Sequence, residues 1–401
     1  MTTGKNGRGE PAVTDLAGAR QWLDRLVAFP TVSRDGNLDL ISMVESRLRA
    51  VGARVVVVPA PDQPEKAALY AAVGPDVPGG VILSGHVDVV PVDGQDWTSD
   101  PWVVTERDGR LYGRGTCDMK GFDALALAAL ERAAGLPLKR PLAVALSYDE
   151  EVGCTGAPVM IADMVARGFT PAASVIVGEP SMLQVVTGHK GGSGFHVHVR
   201  GHEVHSSRLP HGVSAIMEAA RLIDWLNQRN AENAAVEPVG VDALFDPPFT
   251  TLHVGMIAGG TAHNITAGDC RFGLEFRVVP GDSLDRWRGA VQAEAARLSG
   301  AMRRVHPETG FTLDPWFEVP ALVPEVAGPA EALARRLTGD NGTHVVSYGT
   351  EAGQFQGAGW SAVVCGPGDI AQAHQADEWL SVAQFRAGWG MMERLVEELC
   401  G

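Results

Sequence analysis

His86 closes the apolar run Val81-Ile82-Leu83 and stands two residues before Asp88. A short apolar run of this kind predicts a buried strand. A His-x-Asp pair at a strand end suits a metal ligand, with the carboxylate accepting the far ring N–H and fixing the imidazole tautomer. A single histidine near a strand end is more often structural, so this tripeptide alone is a weak signal. Four more stretches strengthen it. The apolar run 141–147 is followed by Asp149-Glu150-Glu151, and 174–177 by Gly178-Glu179-Pro180. Asp118 stands where a loop meets a helix start, and His374 follows the apolar run 361–365. Imidazoles and carboxylates without thiolates match zinc, cobalt or manganese. There are more carboxylates than one catalytic ion needs. Two ions sharing a bridging carboxylate, roughly 3.5–4 Å apart, would use the surplus. A Glu-Glu pair is usually an acidic turn. At a strand end in this set, Glu150 and Glu151 point different ways, so one can ligate while the other acts as general base.

Such chemistry requires these strand ends to share one edge. In an open parallel sheet, ligands bind outside the carboxyl ends of the strands. Strands are expected at 54–58, 70–73, 81–90, 141–147, 174–177 and 361–365, with helices at 14–29, 38–51, 121–134, 157–167, 329–337 and 381–399. Strands alternating with helices predict a mostly parallel α/β sheet sandwiched by helices. Residues 92–116 read as one long functional loop. The pattern changes near residue 193. Alternating strands at 195–199, 250–257 and 270–278, helices at 213–229 and 283–298, and Asp282 as an N-cap predict an inserted, smaller α+β sandwich. The expected division is 12–187, then 188–302, then 303–401. Within the insert, His196 and His198 share a strand face; an exposed polar face is the simpler reading than a metal clip. His189 and Lys190 read as loop structure near the site, and Trp97 and Trp102 as packing residues.

The 401 residues are 45% hydrophobic and 20% charged, as expected of a soluble globular chain, and carry a net charge of −15. Without a Lys/Arg-rich patch, nucleic acid is not an expected partner. No apolar run reaches the roughly 18 residues of a membrane span, so no membrane partner is expected. The polar, Gly-rich residues 1–10 are expected to be disordered, with no signal peptide after them. Five cysteines without Cys-x-x-Cys spacing read as reduced thiols of a cytoplasmic protein.

The motifs Ser-Gly-His86-Val-Asp88-Val-Val-Pro, Gly113-Arg-Gly-Thr-Cys-Asp118-Met-Lys-Gly, Asp149-Glu150-Glu151-Val-Gly, Val177-Gly-Glu179-Pro-Ser, Gly188-His-Lys-Gly and Ala373-His374-Gln-Ala-Asp-Glu-Trp resemble those of the M20 family of co-catalytic metallohydrolases, on its acetylornithine deacetylase and succinyl-diaminopimelate desuccinylase side. The resemblance covers nearly the whole chain after residue 12. It implies that His86, Asp118 and Glu179 hold one divalent ion and Asp118, Glu151 and His374 the other, with zinc first and cobalt second. It makes Glu150 the general base and Asp88 the residue that orients His86. The insert becomes a lid and homodimerisation domain between two parts of a catalytic domain. His205 would reach the partner's active site and steady the oxyanion, and Asn264 and Arg277 would grip a substrate carboxylate. Tyr348-Gly-Thr-Glu351-Ala-Gly resembles the deacetylase branch. There Glu351 either meets a substrate amine or is a solvated loop carboxylate. Cys117, just before Asp118, stands where the family commonly has a small hydroxyl residue.

The implied activity is hydrolysis of an N-acyl-L-amino acid, with N-acetyl-L-ornithine first. The alternatives are a deacylase of other specificity, a succinyl-diaminopimelate desuccinylase, a metallo-dipeptidase, or a catalytically silent amino-acid-binding protein. The silent protein would be expected to have lost Glu150 or a ligand, and every expected position is filled.

Overall fold

The structure, a computed structural model, describes residues 13–169 and 172–401. The polar stretch 1–10 lies outside the described residues. Two compact units emerge: one runs to Val186 and takes in Glu325–His344 and Phe355–Gly401; the other comprises Thr187–Pro324 and Val345–Gln354.

In the first unit the apolar runs become strands buried on both faces, as Ala67–Val73, Gly80–His86 and Leu142–Ser147 illustrate. The eight-stranded sheet has the order Arg54–Pro59, Ala67–Val73, Leu142–Ser147, Gly80–His86, Ala172–Pro180, Ser361–Gly366, Val186–His189, His344–Val346. Its four middle strands, from Leu142–Ser147 to Ser361–Gly366, are parallel. Arg54–Pro59, Ala67–Val73 and Leu142–Ser147 pair antiparallel, so the sheet is mixed. The parallel strands end on one edge, with His86 level with Ser147 and Gly366 level with Pro180.

The helix Lys120–Ala134 is buried almost all round, as its Ala/Leu sequence requires. It packs on Val13–Val27 and on Val382–Cys400 in a core that includes Trp22, Leu83, Leu125, Val144 and Trp389. Helix Leu38–Ala50 buries Leu40, Ile41, Val44 and Leu48. Gly52, at φ +84, ends it in the left-handed conformation that only glycine adopts freely. On the other face of the sheet, Tyr70 donates to Asp163 Oδ2 at 2.8 Å. The 92–116 segment is not a plain loop: Thr105–Arg107 and Arg110–Tyr112 form a hairpin that pairs with Trp379–Ser381. Three-residue strands are too short to carry a readable alternation.

The second unit is a four-stranded antiparallel sheet in the order Thr251–Gly259, Asp269–Val278, Gly191–Arg200, Gly310–Val319, with helices Ala215–Ala234 and Leu284–Arg303. Phe272, Leu274, Phe276 and Val278 alternate into its core. The strand Gly310–Val319 carries this unit past residue 302. It is mostly exposed, and a register shift follows Pro315. An edge strand is where proline is tolerated; Phe311 and Leu313 alternate inward here, but Pro315 and the adjacent Trp316-Phe317 break the pattern. His196 stacks on Trp316 and His198 pairs with Asp269.

The cap of the second helix corrects the expectation for Asp282. Ser283 is the N-cap, accepting from Arg286 N at 3.2 Å. Asp282 stands one residue earlier, accepting from Thr250 Oγ1 at 2.9 Å and from Trp287 Nε1 at 2.5 Å. Burial favours its neutral form, but the bonds from Trp287 and Arg286 prevail and hold its pKa below the ordinary carboxylate value. Asp282→Ala therefore orphans two donors and costs about 1–3 kcal/mol in urea unfolding at neutral pH. Because the folded pKa is depressed, the difference from wild type is present above about pH 4 and closes as pH falls through the folded value.

Candidate active site

The parallel edge brings the expected side chains together. His86 is the last residue of its strand and fully buried. Its Nε2 lies 3.0 Å from Asp118 Oδ1, 3.7 Å from Glu179 Oε1 and 3.9 Å from Glu150 Oε2. His374 Nε2 lies 3.0 Å from Asp118 Oδ2 and 3.0 Å from Glu151 Oε2. The two oxygens of Asp118 thus face two different imidazoles. Ligand atoms of His86, Asp118 and Glu151 fall within 4.8 Å of one another, as do those of His86, Glu150 and Glu179. Asp118 and Glu179 are buried, whereas the His374 side chain is half exposed.

Local backbone aims these groups. Asp149, at φ +55, turns the chain at the strand end, after which Glu150 lies beside His86 and Glu151 beside His374. His374 is also left-handed, at φ +62, and its carbonyl accepts from Gln95 Nε2 at 3.1 Å. The Asp118–Met119 peptide is cis.

Asp88 acts on His86 differently from the expectation. Its backbone carbonyl, at 2.9 Å, is the partner of His86 Nδ1, while its carboxylate stands off at 3.5 Å. The carboxylate instead accepts Glu150 N at 3.1 Å, Glu151 N at 3.3 Å and Ser33 Oγ at 2.7 Å. One residue therefore ties the histidine to the glutamate pair. Sequence reading missed the supports behind it. Lys66 is buried and donates to Ser33 O at 2.6 Å and Asp149 Oδ1 at 2.7 Å. Cys154 donates its thiol to Glu150 Oε1 at 3.1 Å. No local signal marks the Lys66–Asp149 pair, because it joins distant parts of the chain.

The electrostatics are those of crowded anions. Burial favours the neutral form of Asp118, but hydrogen bonds from His374 and His86 outweigh it and hold its pKa well below the carboxylate range. Glu151 is pushed up to about 8 by burial and by the charge of Asp118. Glu179 is raised by burial, Asp118 and Glu150. His374 rises to about 10 through its bonds to Asp118 and Glu151. Glu179 Oε1 is buried without a hydrogen-bond partner. A buried carboxylate oxygen without a donor is costly unless a cation meets it. The donor set of imidazoles and carboxylates, with that orphan among them, fits a pair of divalent ions.

The remaining expected residues belong to the second unit. His205 is exposed and caps the turn Ser206–His211, with Nδ1 2.9 Å from Ser207 Oγ. The carbonyl of the exposed Asn264 accepts Ser206 N at 2.8 Å. Arg277 is half-buried and pairs with Glu275 at 3.2 Å. Glu351 is buried, 1% exposed, and so is not a solvated loop carboxylate. Its turn is held by His189, whose Nε2 accepts Gly353 N at 3.3 Å. In the first unit, Trp97 donates to Gln95 Oε1 at 3.1 Å and lies under the Arg114 guanidinium, while the Trp102 backbone N–H donates to Asp100.

The sequence profile described as peptidase family M20/M25/M40 matches residues 82–398. Acetylornithine deacetylase of Myxococcus xanthus is 38% identical over 399 residues, spanning 96% of this chain and 98% of that protein. Among solved structures, human carnosine dipeptidase 1 matches with a TM-score of 0.72 at 19% identity, covering 96% of this chain and 97% of that one. An M20 family metallo-carboxypeptidase from Sulfolobus solfataricus matches with a TM-score of 0.74 at 16% identity, covering 95% and 99%. At such identities the structures establish the shared fold.

The Lys66–Asp149 pair gives a direct check on the scaffold. Lys66→Met leaves Asp149 buried and uncompensated, and should cost about 3–5 kcal/mol in denaturant unfolding. Lys66→Met combined with Asp149→Asn should recover most of that loss, because asparagine tolerates the left-handed backbone at 149.

Proposed function

The chain belongs to peptidase family M20/M25/M40 and is a metal-dependent hydrolase, and on that premise we propose that it cleaves the amide bond of N-acyl-L-amino acids, N-acetyl-L-ornithine first among them. One observation carries the reading: Asp118 offers its two oxygens to two separate imidazoles, each 3.0 Å away, with Glu151 and Glu179 beside them. His86, Asp118 and Glu179 would hold one ion, and Asp118, Glu151 and His374 the other. Zinc is the first choice and cobalt the second. The Myxococcus relative, named an acetylornithine deacetylase, supports the choice of substrate.

When bound, the ions polarise the amide carbonyl and lower the pKa of the attacking water. Glu150 then takes the water's proton and delivers it to the leaving amine. Cys154 holds one of its oxygens, leaving the other on the His86 side. Arg277 presents a planar fork to the substrate carboxylate, with Asn264 as a second donor. Glu351 meets the δ-ammonium of ornithine. His205 of a second copy stabilises the tetrahedral oxyanion. A homodimer through the second unit fits its exposed Ile216, Met217, Met256 and Ile257, on one helix and one edge strand. Among the described residues no helix is long and apolar enough to cross a membrane. We place the protein in the cytoplasm, where its five free cysteines stay reduced.

The experiment is a substrate panel run on protein stripped by a chelator and reloaded with zinc or cobalt. Activity should vanish on stripping, return with either ion, and favour N-acetyl-L-ornithine over N-succinyl compounds and dipeptides. Faster turnover of another acyl compound would replace the proposed substrate. Glu150→Ala should lower kcat by about 100-fold or more while both ions remain bound, since general acid–base catalysis contributes that much. A silent binding protein would have no turnover to lose. Glu351→Gln should cost about 1.5–3 kcal/mol in kcat/KM for N-acetyl-L-ornithine and little for N-acetyl-L-norvaline, which lacks the amine. Equal losses on both would remove Glu351 from substrate recognition.

A further inference from the structure

Glu378 lies four residues beyond His374 in the segment Ala373-His374-Gln-Ala-Asp-Glu-Trp, and its side chain is fully buried. Its Oε2 accepts from Arg114 Nη1 at 2.7 Å and Gly115 N at 3.0 Å. Its Oε1 accepts from Cys117 N at 2.9 Å and Asp118 N at 3.0 Å. Its backbone carbonyl accepts Gly113 N at 3.0 Å. Backbone amides converging on one anion form a nest. Gly115, at φ +82, makes this one possible: a Cβ there would stand 2.9 Å from Val89 Cγ1.

The paired Arg114 extends the clamp toward His374. Its guanidinium donates to Gln95 Oε1 at 2.6 Å and to Gln375 O at 3.4 Å. Gln95 in turn donates to the His374 carbonyl. One buried carboxylate thus fixes the amide of Asp118, and its ion-pair partner braces the loop that bears His374.

We propose that Glu378 is a positioning residue of the metal centre, setting Asp118 and His374 at ion-sharing distance without touching ion or substrate. The inference rests on the reading of Asp118 as bridging ligand. Glu378 does more than close a loop. Its carboxylate faces the backbone of the very residue that must bridge, so a small rotation there alters both ion sites together.

The test uses full-length protein, stripped and titrated with cobalt(II) ions, with metal stoichiometry and the visible d–d spectrum as readouts. In Glu378→Gln an amide NH2 faces donors where an oxygen stood. Cobalt affinity should fall about 10–100-fold, as for other groups that orient ligands. The d–d spectrum should change and kcat should fall, while KM stays within about twofold, since no substrate contact is touched. Wild-type cobalt affinity, spectrum and kcat in a folded Glu378→Gln protein would overturn the proposal, even with a lowered Tm. If Glu378→Gln fails to fold, Arg114→Lys carries the test. It keeps a cation on Glu378 but loses the fork to Gln95 and so tests the His374 brace. Alongside it, Glu378→Asp keeps the charge but withdraws the carboxylate from the Cys117 and Asp118 amides. The same spectral change is expected, and an unaltered spectrum and affinity in both would overturn the proposal. Wild-type protein that binds no cobalt would instead refute the metal reading itself, a result distinct from two variants that bind it normally.

Discussion

Asp118 is a buried carboxylate whose two oxygens face two imidazoles, with Glu150, Glu151 and Glu179 crowded around it. So many anions in low dielectric repel one another and lose their hydration. Burial and the charge of Asp118 make Glu151 and Glu179 hold their protons more tightly than free carboxylates do, while the neighbouring histidines pull the other way. Divalent cations held by these side chains would relieve the repulsion more completely and would supply the charge that activates a water. Much of the surrounding architecture makes sense as the means of holding that cluster still.

The fold does this by delivering ligands from separate rigid sources. Parallel strands end on one edge, so His86, the Glu150-Glu151 turn and Glu179 arrive from neighbouring strands at one level. The buried helix Lys120–Ala134 and the nest that precedes it carry Asp118. His374 is the exception, half exposed on a loop and braced through Gln95. Behind the cluster, Ser33 donates to Asp88 and Lys66 ties Ser33 to Asp149, while the backbone and carboxylate of Asp88 together join His86 to the glutamates.

Much of this was legible in the sequence because strand ends announce themselves. An apolar run stops, and a charged side chain that could not sit within it follows, as at His86, Glu150 and Glu179. Buried sheet and helix were equally plain from Val, Ile, Leu and Ala content. The supporting contacts were not legible, because they depend on tertiary neighbours. Nothing local marks Glu378 as the partner of residues 114–118, or Lys66 as the partner of Asp149. The division of labour within Asp88, carbonyl to His86 and carboxylate to the glutamates, is a matter of ångströms that residue type cannot fix. Ser283 displaced Asp282 as helix cap because Trp287 and Thr250 compete for the aspartate. The strand Gly310–Val319 escaped notice because its alternation, Phe311 and Leu313, is short and is broken by Pro315 and Trp316-Phe317.

The central claim is that one carboxylate bridges two ions. Anomalous diffraction from crystals grown with zinc, measured at the metal's absorption edge, tests it most directly. The account predicts two peaks roughly 3.5–4 Å apart, one on the His86 side of Asp118 and one on the His374 side. A single peak, or ions bound elsewhere with Asp118 left unligated, would contradict it.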